Sequence, residues 1–220
     1  MAIFGAVFGL LMAGMLVLAG FVVWGGVRRR KALDAVAQGM GWSFEPRPTA
    51  FRGGFSGYTL FEQGHQQKAL SLMRGQSGPY PVEVFDYHYM TGGGGSSHTY
   101  TQTVVHVNLD TLRLPGFSVR PDNAVKHLVA AAVGAQDVDL PEHPAFSRQV
   151  QLRGPDEAAL RAHFSGPVAD AFVAHPDLSA DGGGAHLFVF RESRLCTPGE
   201  IPELVTQAVA IAQAFAGRGA

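Results

Sequence analysis

The chain has almost no cysteine: Cys196 stands alone among 220 residues. That excludes an internal disulfide framework and any zinc site built on paired cysteines. Charge is sparse too. Charged residues make up 16% of the chain and the formal net charge is -1, so nothing overall draws it to nucleic acid. The sequence holds no Gly-Lys-Ser/Thr run, no HExxH pair and no Gly-x-Ser-x-Gly elbow, which removes the sequence marks of a P-loop, a zincin and an α/β-hydrolase. It is nevertheless too apolar, at 46% hydrophobic, to be disordered.

The sharpest absence lies at the front. Residues 2–27 contain no Asp, Glu, Lys, Arg, His, Asn or Gln. As a helix, such a run reaches roughly 39 Å against a hydrocarbon core of about 30 Å, long enough to span with some tilt. A cleavable signal peptide needs a basic start and a shorter apolar stretch of about 7–15 residues. Here Met1 leads straight into apolar residues, and the cations follow as Arg28, Arg29, Arg30 and Lys31. Trp24 stands one turn before them, where an interfacial aromatic belongs. Basic residues stay on the cytoplasmic side, so the expectation is a single-pass inner-membrane protein with its N-terminus outside and its body in the cytoplasm. A body exported to the periplasm by an atypical signal anchor is the other orientation. The lipid bilayer is the first expected partner, since each cation near anionic headgroups contributes about 1 kcal/mol. Gly5 and Gly9 form a small-xxx-small pair that would let two such helices approach as a homo-dimer.

Behind the collar the balance reverses. Residues 32–220 carry 13 basic and 18 acidic side chains, a weakly acidic body that argues against a nucleic-acid surface. Five divisions are expected: a transmembrane helix over 1–27, a collar and short helix over 28–41, a β-rich lobe with a closing helix over 42–135, a connection over 136–144, and a smaller αβ lobe over 145–220. Strands are expected over 69–74, 82–89 and 99–109, the last two joined as a hairpin across Gly92–Gly95. In the second, Phe85, Tyr87 and Tyr89 point one way and Asp86 and His88 the other. Helices are expected over 125–133, 156–174 and 200–215, and strands over 146–153 and 187–191. The fold class is α+β: an N-terminal membrane helix, then a mainly antiparallel sheet covered by helices, divisible into two small lobes.

Three runs, Val84-Phe-Asp-Tyr-His-Tyr89, Thr99-Tyr-Thr-Gln-Thr-Val-Val105 and Leu114-Pro-Gly-Phe-Ser-Val-Arg-Pro-Asp122, occur in that order around a glycine loop. In this the chain resembles uncharacterised bacterial proteins with an N-terminal membrane helix and a soluble α+β part. The likeness covers about residues 30 to 215 in outline and is sharp over 84–122. It implies a membrane-associated bacterial protein, and carries no activity, cofactor or catalytic residue with it.

Candidate chemistry is thin. Phosphate binding needs glycines that open a helix, and Gly92–Gly95 and Gly182–Gly184 each precede a strand instead. Of nine histidines, His88, His98 and His106 fall on one hairpin. His98 and His106 would lie about 26 Å apart on a straight strand, so no three-ligand metal site is expected. Cys196 lies near a helix start, where a thiol pKa falls, although partial burial is the simpler expectation. The weak catalytic candidates are His88 and Asp86 near the Gly92 loop, as a membrane-tethered hydrolase. Phe85, Tyr87, Tyr89 and Tyr100 form a candidate ligand or partner patch, with cross-strand packing as the competing explanation. With no convergent catalytic group, cofactor or metal indicated, the expected role is a membrane-anchored binding or scaffolding module with a protein partner.

Overall fold

A computed structural model describes residues 12, 24–48, 55–110, 112–122 and 136–217. Residues 24–39 are helical (α1). They are followed by β1 (Ser43–Glu45), the single-turn α2 (Thr59–Glu62), β2 (His65–Ser77), β3 (Tyr80–Thr91), β4 (His98–Asn108) and β5 (Leu114–Pro121). The second half contributes β6 (Gln136–Asp137), α3 (Pro144–Gln149), β7 (Val150–Gly154), α4 (Glu157–His163), α5 (Pro167–Ala174), β8 (Ser179–Gly184), β9 (His186–Phe190) and α6 (Ile201–Ala216).

Among the described residues, all nine strands join one antiparallel sheet in the order β1-β2-β3-β4-β9-β8-β5-β7-β6. The fold is α+β with helices covering an antiparallel sheet, as the patterning implied. The segment 136–144 does not divide that sheet. β8 and β9, from the second half of the chain, sit between β4 and β5 of the first, so one hydrophobic layer runs through both halves. It holds Leu33 and Ala37 of α1, Val84 of β3, Val105 of β4, Val189 of β9, Phe164, Phe172 of α5 and Leu204, Ile211 and Phe215 of α6. Two-residue periodicity on the strands and the i, i+3, i+4, i+7 stripe of α6 meet there.

Local chemistry explains where the structure departs from the expected elements. The strand expected over 146–153 begins only at Val150: Pro144 at the first turn starts a helix, which buries Phe146 before the chain extends. The helix expected over 156–174 is two helices, because Gly166 adopts φ +60° and Pro167 restarts the second. Asp156 caps the first by accepting from the Ala159 N–H at 3.0 Å. The Gly182–Gly184 run is not a loop before a strand but the end of β8 itself. A Cβ at Gly182 would stand 2.2 Å from the Phe117 ring, so the aromatic packs where a side chain would be. Before α6, Thr197 and Glu200 form a reciprocal capping box.

Among the described residues no helix is long and apolar enough to cross a membrane. The spanning segment expected over 1–27 and the Gly5–Gly9 dimer face fall almost wholly on residues 1–11 and 13–23, outside the described residues, as does the closing helix expected over 125–133.

Candidate functional site

The sheet has two unlike faces, and the candidate residues divide between them. On the helix-covered face lies the Asp86 site. Asp86 sits mid-β3, opposite Leu70 of β2 and Thr103 of β4, and is 5% exposed. Arg29, from the first turns of α1, forms a bidentate pair with it: Nε to Oδ2 and Nη2 to Oδ1, both 2.9 Å. Arg29 Nη1 also donates to the Cys196 carbonyl at 2.7 Å. The Thr103 hydroxyl donates to Asp86 Oδ1 and accepts from the Cys196 N–H, each at 3.0 Å. Two parallel charge-assisted bonds fix orientation as well as distance, so the collar helix is latched onto the middle of the sheet.

That arrangement redistributes the expected interfacial cations. Arg29 turns inward, whereas Arg28 and Lys31 are exposed and Arg30 is half-buried, donating to the Gly26 carbonyl at 3.2 Å. Trp24 is exposed, with the Arg28 guanidinium 5.5 Å from its ring centre, a cation–π contact of the kind that suits an interface. The sequence shows four cations in a row; only register along α1 singles out Arg29.

The same latch occupies the catalytic candidate. Both Asp86 oxygens are engaged by Arg29 and Thr103, and these contacts commit the carboxylate to holding a helix. His88, half-buried beside it, is held below its ordinary pKa by burial and further by the Arg29 and Lys68 cations, against an upward pull from Asp86. It lies opposite Thr101 and Lys68, while His98 lies opposite Thr91, so His88, His98 and His106 do not converge. Among the described residues no group of three His, Cys, Asp or Glu side chains is arranged to hold a metal ion. The Cys196 thiol is buried, and burial pushes its pKa up, which keeps it a protonated core residue.

The opposite face carries the aromatic patch. Phe85, Tyr87 and Tyr89 are buried there and Tyr100 is half-buried. Tyr89 and Tyr100 stack with centroids 5.1 Å apart, and Tyr87 lies 5.8 Å from Tyr89. They are joined by Phe188 and Phe190 of β9 and covered by residues 55–64, whose Phe61 meets Tyr87 edge-on at 5.2 Å. Cross-strand packing therefore accounts for these four residues, and the patch is interior. Burial raises the Tyr87 and Tyr89 pKa values.

Two polar groupings on this face escaped the sequence reading. Arg120, 4% exposed, bonds to Asp181 Oδ1 at 2.6 Å and to the Ala180 carbonyl at 3.1 Å, and lies over the Phe190 ring at 4.9 Å. Its Nε is 2.8 Å from Glu192 Oε1, too poorly aligned for a hydrogen bond, and its Nη2 has no partner among the described residues. Asp181 in turn accepts from the Leu60 N–H at 2.5 Å, which ties the covering segment to β8. Burial raises the Glu192 pKa against the pull of Arg120. The second grouping is Glu83–His106–His186. His106 Nδ1 is 3.2 Å from Glu83 and its Nε2 is 3.0 Å from His186 Nδ1. With Nδ1–H given to the carboxylate, His106 Nε2 accepts from His186. Glu83 is held below its usual range by that bond and by Arg74, and burial lowers His186. Neither set was visible in sequence, because each joins residues far apart in the chain, Arg120 with Asp181 across 61 residues and His106 with His186 across 80. The buried Arg120 in Leu114–Asp122 was the one available signal, since arginine is rarely buried without a partner.

No family model matches the chain, and no curated protein matches it. A solved structure does: the mycobacterial trehalose monomycolate transport factor A, TtfA, with a TM-score of 0.61 and 12% identity, covering 86% of this chain and 94% of that one. At that identity the likeness establishes a shared fold and nothing finer.

Proposed function

We propose that this chain is a single-pass membrane protein of the bacterial inner membrane whose α+β body serves, on the cytoplasmic side, as a binding or scaffolding module. The observation that carries the reading is the Arg29–Asp86 latch. A helix that begins within the uncharged run of residues 2–27 is locked by two arginine donors to Asp86 of β3 and by a third to the Cys196 carbonyl. The body is thereby held at a set orientation within a turn or two of the apolar run, not hung on a loose tether. Confinement to two dimensions raises the effective concentration of a partner held nearby. The structural neighbour is a transport factor, and a binding role of that general kind suits a body without an assembled catalytic group among its described residues. The hydrolase alternative at His88 and Asp86 loses support because the carboxylate is committed to Arg29. Self-association through Gly5 and Gly9 belongs to the same proposal.

Alkaline carbonate washing of cell envelopes tests the anchor: the intact chain is expected in the pellet, and its recovery in the supernatant would refute the reading. A reporter fused after Ala220 should be active only in the cytoplasm. Cross-linking in native membranes should then capture a specific protein neighbour that is lost when the apolar run is replaced by an unrelated spanning helix plus a flexible linker.

A further inference from the structure

The latch fixes more than attachment; it fixes which edge of the body faces the bilayer. Along α1 the chain moves from Arg29, bound at the level of Asp86 and Thr103, to Trp42, packed against Gly75. Gly75 lies opposite Val82. The helix therefore descends β3 from residue 86 toward residue 82, antiparallel to the strand. Upstream of Arg29 it climbs the other way, toward the β3–β4 hairpin tip.

The two routes advance at different rates. From Arg29 back to Trp24 is five helical residues, about 7.5 Å at 1.5 Å each. From Asp86 to Thr91 is five strand residues, about 16 Å at ~3.3 Å each. With the helix aligned to the strand, the tip projects about 9 Å beyond Trp24, and about 5 Å beyond it at a crossing angle near 40°.

The composition of that tip matches its position. Met90-Thr-Gly-Gly-Gly-Gly-Ser-Ser97 carries no charge, and residues 92–98 are all exposed. Behind it stands the stacked Tyr89–Tyr100 pair, and His65 of β2 lies opposite Met90 at its base. A glycine-rich loop presents much exposed backbone, which is excluded from hydrocarbon but finds partners among headgroups and their water. The headgroup band on each side of the core is about 5–8 Å deep, the same size as the projection.

We infer that the glycine-rich β3–β4 tip, residues 91–98, is a second membrane contact that rests in the headgroup zone of the bilayer in which the chain is anchored. This rests on the anchor reading above. It assigns to Gly92–Gly95 a role that neither phosphate binding nor catalysis supplies: small, uncharged backbone able to lie among phosphates and glycerol without carrying acidic repulsion or bulky side chains. With the anchor helix as one foot and the tip as the other, the sheet stands on two points and does not swivel about α1.

The test uses the full chain reconstituted in vesicles of equal parts phosphatidylglycerol and phosphatidylcholine, with and without headgroup-nitroxide phosphatidylcholine as quencher. An environment-sensitive fluorophore is placed in turn by Gly93→Cys, Ser96→Cys and Asp110→Cys. Gly93 and Ser96 are both exposed, and a Cβ at Gly93 meets nothing within 4 Å, so these variants keep the fold; the native Cys196 is buried. Labels at 93 and 96 should each lose about half their emission to the quencher, as befits probes inside the headgroup band, and the label at 110, beyond the far end of β4, should lose almost none. A chain retained in carbonate-washed vesicles with labels 93 and 96 unquenched overturns the tip contact and leaves the anchor standing. Equal quenching at 96 and 110 overturns it as well. Release of the chain by carbonate overturns the anchor reading and the tip contact together.

Discussion

Replacing Asp86 by Asn is the most direct challenge to the latch, because it keeps the shape and removes only the charge. Two charge-assisted bonds from Arg29, each 2.9 Å, lose their ionised acceptor, and one amide N–H is turned toward a guanidinium. Hydrogen bonds to charged groups contribute about 1.5–3 kcal/mol apiece. The Arg29 side chain is 23% exposed against 6% for Asp86, so water recovers part of the loss on the arginine side, and breaking the pair should cost about 2–3 kcal/mol, below the range for a fully buried one. For a body of this size that is a fall in melting temperature of roughly 5–10 °C. Urea unfolding of the detergent-solubilised full chain reads it directly. Arg29→Lys, with Asp86 intact, should lose a comparable amount, since an ammonium cannot present a planar fork. A double-mutant cycle with Arg29→Met and Asp86→Leu should return a coupling above about 1 kcal/mol. As a control, Arg161→Ala breaks an exposed i,i+4 pair with Glu157 and should cost less than about 0.5 kcal/mol. If Asp86→Asn costs no more than that control, the latch is not what positions α1, and the body's orientation is not set by it.

Three further outcomes are expected. Arg120→Met should destabilise by about 3–5 kcal/mol, measured by denaturant unfolding, because it strands Asp181 and Glu192 in the interior without their cation. Gly182→Ala should cost about 1–3 kcal/mol by the same measurement, since its Cβ falls 2.2 Å from the Phe117 ring, whereas Gly93→Ala should be neutral. Stability should also fall between about pH 7 and 5 through His88 and His186: both are held below the ordinary histidine value, so the unfolded chain binds protons first as pH drops. Replacing both by Gln should flatten a melting-temperature profile across that window, and an unchanged slope would contradict the burial of these rings.

How much of this could be read from the amino acids depended on range. The alternation in Val84–Tyr89 separated Asp86 and His88 from Phe85, Tyr87 and Tyr89 correctly, because side-chain period on a strand is a local property. The stripe of α6 was legible for the same reason. The sheet order was not. Nothing local in His186–Phe190 says that it pairs with Val104–Asn108, and the polar connection at 136–144 looked like a boundary because a surface loop and a linker share a composition. At the site, the collar was found but its inward member was not. Arg28, Arg29, Arg30 and Lys31 are equivalent on charge alone, and only the 100° turn between neighbours on α1 brings one of them over the sheet. The buried Arg120–Asp181 pair was hidden by its 61-residue separation.

The place of β9 has a consequence for how the chain is made. Val104 and Val105 sit at the middle of the finished sheet, yet their neighbours Phe190 and Val189 come from near the chain's end. Until those residues leave the ribosome, β4 presents a raw, valine-rich edge that invites any passing strand. If the front end is anchored as proposed, the body spends that interval unfinished against the lipid surface. Chain shortening should accordingly have two distinct outcomes: losing the last helix alone bares one face, but stopping before residue 186 removes β9 and parts β1–β4 from the β8-β5-β7-β6 half of the sheet.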